Sequence, residues 1–151
     1  MKKLLCLCVF LFVQVQALAS GKNPLPLPPD LSRNQAQAVV ILFSLPDCAY
    51  CVQVRKHSLM HLETDPRYRG KLKAYEIGFG ENINTKIKWF DARTYTGAQL
   101  ARKLGVQFSP TVLVFSQQGE AAGKPLLGSG LPDFYGAYLD ELIQLAWPLS
   151  N

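Results

Sequence analysis

The sequence predicts an α/β fold in which a mixed central sheet carries helices on both faces. Three observations lead there. "AVVILFS" (Ala38 to Ser44) is a continuous β-branched and aromatic run of the kind a strand shows when both its faces are buried. "TVLVFS" (Thr111 to Ser116) is a further strand. Helix-period and strand-period segments alternate along the chain in the order strand, helix, strand, helix, strand, strand, helix, and parallel pairing needs such helical crossovers. At 151 residues the chain has the size of one domain with its own core.

The first 19 residues stand apart. Met1-Lys2-Lys3 is a basic head, Leu4 to Val13 a short apolar run, and "QVQALAS" ends with small residues at Ala17 and Ala19. These are the three parts of a secretory signal peptide, and the apolar part is too short to span a bilayer as a helix. Cleavage is expected after Ala19, which leaves Ser20 first in the mature chain and places it in the periplasm. A lipid anchor would need a cysteine at that point, and Cys6 and Cys8 lie too early. Residues 20–37 follow as an extended leader, stiffened by "NPLPLPP", and a short helix in "LSRNQAQ" capped by Asp30 or Ser32. The domain itself is expected over 38–147.

Within it, the first strand stops before Pro46, and a helix starts near Cys48. That helix runs on through "VQVRKHSLMHL", with Val52, Leu59 and Leu62 at helical spacing. "KLKAYEIGF" (Lys71 to Phe79) alternates as a second strand, and "GENINTKIKWFDARTY" reads mostly as loop. "TGAQLARKLGV" (Thr96 to Val106) is a helix capped by Thr96 and stopped by Gly105. After Thr111 to Ser116 a hairpin around Gly119 adds an antiparallel edge strand from "KPLLGSG". "LPDFYGAYLDELIQLAW" (Leu131 to Trp147) closes the chain as an amphipathic helix with Phe134, Tyr138, Leu142 and Leu145 near one face.

Charge excludes little but points away from nucleic acid. The net charge is +5, and +3 without Lys2 and Lys3. Basic residues are scattered except in "RYRGKLK" (Arg67 to Lys73), a pattern typical of a solvated turn. The cysteines say more. Loss of Cys6 and Cys8 with the signal leaves only Cys48 and Cys51. A disulfide scaffold uses several spaced pairs, and a bridge across two residues barely constrains the unfolded chain. The pair is better suited to reaction than to stapling.

Its position suits that chemistry. At a helix N-terminus the first backbone N–H groups lack partners and the dipole presents its positive end, which favours a thiolate over a thiol. The thiolate is the nucleophile in disulfide exchange. Cys51, three residues on, lies beside Cys48 and can resolve a mixed disulfide formed there.

"LFSLPDCAYC", "LGVQFSPTVLVF" and the downstream Gly128 together resemble the thioredoxin family over roughly residues 38–146. The resemblance implies a three-layer sandwich and a cis-Pro110 facing the cysteines. Ser109 and Pro110 would then form a platform on which an extended substrate peptide pairs as an added strand, with Tyr50 also in contact with substrate. Secreted single-domain relatives similar to SoxW share the Cys-x-Tyr-Cys and Ser/Thr-Pro-Thr patterns. Departures matter too: the buried acid expected six residues before Cys48 is Leu42, and Asp47 stands beside Cys48, where it opposes the thiolate.

The expected activity is therefore reduction of protein disulfides through Cys48 and Cys51, by a monomer that needs no cofactor and is recharged by a membrane electron donor. A dithiol oxidase or isomerase is the alternative. Isomerases of this kind add a dimerisation domain and strong oxidases a long helical insertion, and neither is evident in the sequence. A non-catalytic binding module, or an accessory in metal or haem maturation, is a further alternative. Metal binding by Cys48, Cys51, His57 and His61 is disfavoured, because five residues between the pairs are too few to fold back on an ion.

Overall fold

In the computed structural model residues 25–130 and 132–148 are described; the expected signal peptide lies outside them. β1 (Ala38–Ser44) is buried at all seven positions. It pairs in parallel with β2 (Leu72–Gly78) and antiparallel with β5 (Thr111–Ser116). β6 (Leu126–Leu127) joins the outer edge of β5, so the sheet order is β2-β1-β5-β6. Strand geometry sends alternate side chains to opposite layers. Val40 and Leu42 meet α1 (Ala49–Val54) and α3 (Pro132–Ala146) through Val54, Leu139 and Ile143. Val39, Ile41 and Phe43 meet α2 (Gly97–Lys103) through Leu100 and Ala101. Each Val, Leu, Ile or Phe among them contributes about 1.5–3 kcal/mol when fully buried. The result is the three-layer α/β arrangement with a mixed sheet that the sequence predicts.

The leader runs along the open edge of β2, where the Glu76 N–H donates to the Pro26 carbonyl at 3.2 Å. Asp30 then caps a 3-10 turn over Leu31–Arg33 by accepting from the Ser32 N–H. The Ser32 hydroxyl also donates to it, and these bonds hold the Asp30 carboxyl below its usual range.

Three elements differ from expectation. The helix after the cysteines is not continuous: α1 gives way to a single π turn, Arg55–Leu59, in which the Met60 N–H reaches the Arg55 carbonyl. A 3-10 turn follows at Leu62–Thr64. The wider turn brings Val54 and Leu59, five residues apart, onto the same buried face, while Val52 is left exposed.

"GENINTKIKWFDARTY" is not simply loop. β3 (Lys86–Lys88) and β4 (Thr94–Thr96) form a two-stranded antiparallel sheet, and Ile87 and Trp89 are buried against Phe115, whose ring lies 5.2 Å from Trp89. Strands of three residues are too short for periodicity to register, and packing stabilises them.

α3 docks on Tyr135, Leu139, Leu142 and Ile143. Phe134, Tyr138 and Leu145, grouped with Leu142 by helical spacing, instead face solvent. The rotation of the helix is set by a polar latch: the Tyr68 hydroxyl and the Arg67 guanidinium both donate to Asp140, at 2.9 and 2.7 Å.

α2 begins with a full capping box between Thr96 and Gln99 and approaches β2 so closely that a Cβ at Gly97 would overlap the Gly78 carbonyl oxygen. Gly97→Ala should cost about 3 kcal/mol in denaturant unfolding; a loss below about 1 kcal/mol would mean the two elements can part.

Burial raises the Tyr68 phenol to about 12 and also pushes Tyr75 and Tyr135 up. Unfolded tyrosines ionise near pH 10, so the stability these neutral phenols bring is complete below about pH 10 and is lost as pH rises through the folded values. Urea midpoints should therefore fall with pH in that window, less steeply in Tyr68→Phe; midpoints flat to about pH 11.5 would refute this.

Candidate active site

β1 ends at Ser44, and four residues later Cys48 caps α1. The cap is the sulfur itself: the Cys51 N–H donates to Cys48 Sγ at 3.1 Å, doing for a sulfur what an N-cap oxygen does for a helix start. Cys48 and Cys51 are joined as a disulfide, with Cα atoms 5.2 Å apart. Their exposure is unequal. Cys48 is partly exposed, whereas Cys51 is 1% exposed, so an incoming sulfur can reach the first and not the second.

The turn into the helix passes through Asp47 at φ 56°, left-handed backbone that aspartate tolerates better than most residues. The sequence alone did not signal this. Asp47 is exposed.

Ser109 and Pro110 come to the same place from the entry to β5. The Ser109–Pro110 peptide is cis, and Pro110 is buried. The Ser109 hydroxyl accepts from the Leu45 N–H at 3.0 Å and lies 3.1 Å from Cys51 Sγ and 3.4 Å from Cys48 Sγ. The carbonyls on either side are engaged: Phe108 accepts from the Thr111 hydroxyl and Pro110 from the Gly128 N–H. The backbone N–H and carbonyl of Ser109 have no partner among the described residues. Phe108, next in the chain to Ser109, and Leu45, whose N–H bonds its hydroxyl, are 63% and 40% exposed, and Tyr50, between the two cysteines, is 61% exposed. Tyr50 lies in the first turn of α1 and is largely exposed.

A groove of about 720 Å³ runs past Cys48 on the β2 side, lined by Asp47, Val52, Arg55 and Glu76 among others. Arg55 Nε and Nη2 each donate to a Glu76 carboxylate oxygen at 2.7 Å, a bidentate pair. Glu76 is 3% exposed. Leu42, the position at which the resemblance would place a buried acid, sits directly across the β1–β2 ladder from Glu76. The carboxylate is therefore present, one strand over, and neutralised from the cysteine helix. Neither Arg55 nor Glu76 was singled out from the sequence, yet a signal existed. Alternation puts Leu72, Ala74 and Glu76 on one inward face, and a charge in that register needs a partner. His57 and His61 are exposed, and His57 lines a separate pocket with Gln53 and Ser129.

A thioredoxin-like domain family model matches residues 30–128, and the chain belongs to that family. No curated protein matches it in sequence. Among solved structures it is similar to thioredoxin f2 of Chlamydomonas reinhardtii, at 16% identity over 83% of this chain and 99% of that one, with a TM-score of 0.55. It is also similar to oxidised thioredoxin O2 of Arabidopsis thaliana, at 16% identity over 75% and 83%, with a TM-score of 0.51. At these identities the likeness is one of fold. A family member with a paired Cys-x-x-Cys at the strand-to-helix turn is a thiol–disulfide oxidoreductase.

Removing one partner of a buried ion pair leaves the other uncompensated. Glu76→Ala should therefore lower unfolding free energy by about 3 kcal/mol, and the double replacement Arg55→Met with Glu76→Leu by clearly less. Equal losses in the single and double variants would show that the pair is not coupled.

Proposed function

We propose that the protein is an exported reductase of protein disulfides, a SoxW-like member of its family. The observation that carries this is the unequal pair itself: an accessible Cys48 sulfur at a helix start, with a shielded Cys51 within reach to resolve. Cys48 as a thiolate attacks a substrate disulfide, and Cys51 then displaces the substrate from Cys48. The backbone N–H and carbonyl of Ser109, without a partner among the described residues, can pair with an extended substrate segment as an added strand. Exposed Phe108 and Tyr50 offer apolar contact to the same segment. Asp47 supports the direction. A carboxylate lining the Cys48 groove opposes the thiolate, and a dithiol whose reduced form is less stabilised gives up its electrons more readily.

The basic, apolar and small-residue blocks of the first 19 residues support export to the periplasm. In that oxidising compartment the dithiol must be recharged, which calls for a membrane electron donor fed from the cytoplasm. The protein acts as a monomer on protein substrates, not on nucleic acid. A dithiol oxidase or isomerase is the second reading, favoured by the Cys51 N–H and Ser109 hydroxyl, both of which face Cys48 Sγ and would stabilise its thiolate.

Equilibration with glutathione separates the two. A reductase should keep the Cys48–Cys51 bond in all but strongly reducing mixtures, whereas a dithiol that forms in mildly reducing mixtures would establish the oxidase. The protein should also accelerate insulin reduction by dithiothreitol, and Cys51→Ala should abolish turnover while accumulating mixed disulfides at Cys48. No trapped species in that variant would overturn the assignment of Cys48 as attacker.

A further inference from the structure

The groove beside Cys48 combines apolar surface with one unbalanced charge. Leu27, Val52 and Ile83 supply the apolar part, and Asp47, Arg55 and Glu76 are the charged residues that line the same space. Arg55 and Glu76 neutralise each other at 2.7 Å. Asp47 is exposed and has no ion-pair partner among the described residues. The left-handed backbone at this residue, φ 56°, belongs to the turn that ends in the nucleophile.

Other charges lie further along the rim. The loop that carries Glu81 abuts the same turn, since a Cβ at Gly80 would stand 3.5 Å from Pro46 Cδ. Glu81 is exposed, and so are Lys56 and Lys86, which follow Arg55 and Thr85 in the chain. Of these groups only Asp47 adjoins Cys48, with the two Cα atoms about 3.8 Å apart.

We propose that Asp47 selects the substrate: the protein acts preferentially on polypeptide disulfides in which a lysine or arginine lies one or two residues from the target half-cystine. This deepens the reductase reading and rests on it for the direction of electron flow, not for the contact. When a substrate sulfur meets Cys48, the next two residues of an extended segment lie about 3.3 and 7 Å along it, within reach of Asp47. Lysine and arginine carry a charged head on a long apolar stem. The stem can lie on Leu27, Val52 and Ile83 while the head meets the carboxylate. A glutamate in that place would face a like charge, and an uncharged side chain would gain nothing from Asp47. Complementarity of this kind decides which partner docks and how fast, more than how tightly.

The test uses the reduced full-length protein and two end-capped peptides that differ only in whether lysine or glutamate flanks a single cysteine. Each peptide is presented as its mixed disulfide with nitrothiobenzoate. Attack by the Cys48 thiolate on the peptide sulfur forms the Cys48–peptide disulfide and releases the coloured nitrothiobenzoate thiolate, whose rate of appearance is read. Flanking charge also alters the peptide's own reactivity, so the lysine-to-glutamate rate ratio is compared between the wild type and Asp47→Asn, which cancels that effect. Asparagine accepts left-handed backbone as aspartate does, so the turn is kept. Attraction of lysine and repulsion of glutamate are each worth about threefold at an exposed site, and the ratio should be about tenfold higher in the wild type. Added salt should draw it toward the variant's, and Glu81→Gln should leave it as in the wild type. Equal ratios in the wild type and Asp47→Asn would overturn the assignment, as would a ratio kept in Asp47→Asn and lost in Glu81→Gln. Insulin reduction separates the two claims. A wild type that reduces insulin but shows equal ratios removes the selection by Asp47 alone. A wild type inactive on insulin with the tenfold difference present removes the reductase reading and leaves the selection.

Discussion

Lateral pairing of β1 with β5 is the constraint on which the site depends. Phe43 lies opposite Thr111, so the end of one strand and the start of the other meet at one edge of the sheet. Two residues beyond that register pair, the Leu45 N–H finds the Ser109 hydroxyl, and the two cysteines follow on the next turn. Segments 61 residues apart are thereby held at hydrogen-bond distance. Because side chains alternate along a strand, a slip of one residue would send every buried side chain of β1 to the wrong layer. The burial of all seven residues is what forbids the slip, and so the core sets the geometry of the sulfurs.

The same layer holds the charges near the site in check. Arg55 stands where α1 passes into its π turn, and Glu76 faces inward from the edge strand. Taken singly, either would be costly in so dry a place. Paired through two 2.7 Å bonds, they tie the helix that carries Cys51 to β2. The local negative charge beside Cys48 is then Asp47 alone among the residues lining that groove, which leaves hydroxyl and backbone N–H groups to decide how readily the sulfur ionises.

Much of this was legible beforehand because the informative segments are long. β1, β2, β5 and α2 announce themselves through unbroken apolar runs, alternation and a capping residue, signals that depend only on neighbours in the chain. The cysteines were legible for a related reason: their spacing is a local fact. β3 and β4 were not, since three residues hold no measurable period, and their partner is the aromatic layer of Trp89, Phe90 and Phe115. The docking face of α3 was misjudged because apolar side chains line two adjacent stripes of that helix. The choice between them was made by Tyr68, Arg67 and Asp140, whose separation in sequence exceeds 70 residues.

By itself the amino-acid order determined the α/β class, the two strands that flank the site, and a vicinal pair of thiols placed to cap a helix. These follow from periodicity, strand propensity and residue spacing, all short-range properties. Only the tertiary structure decided which sulfur is shielded, which hydroxyl lies against both, and where the buried carboxylate sits. Those features are distances between segments remote in the chain, and they are fixed by sheet register and helix rotation, which packing chooses after the local elements have formed.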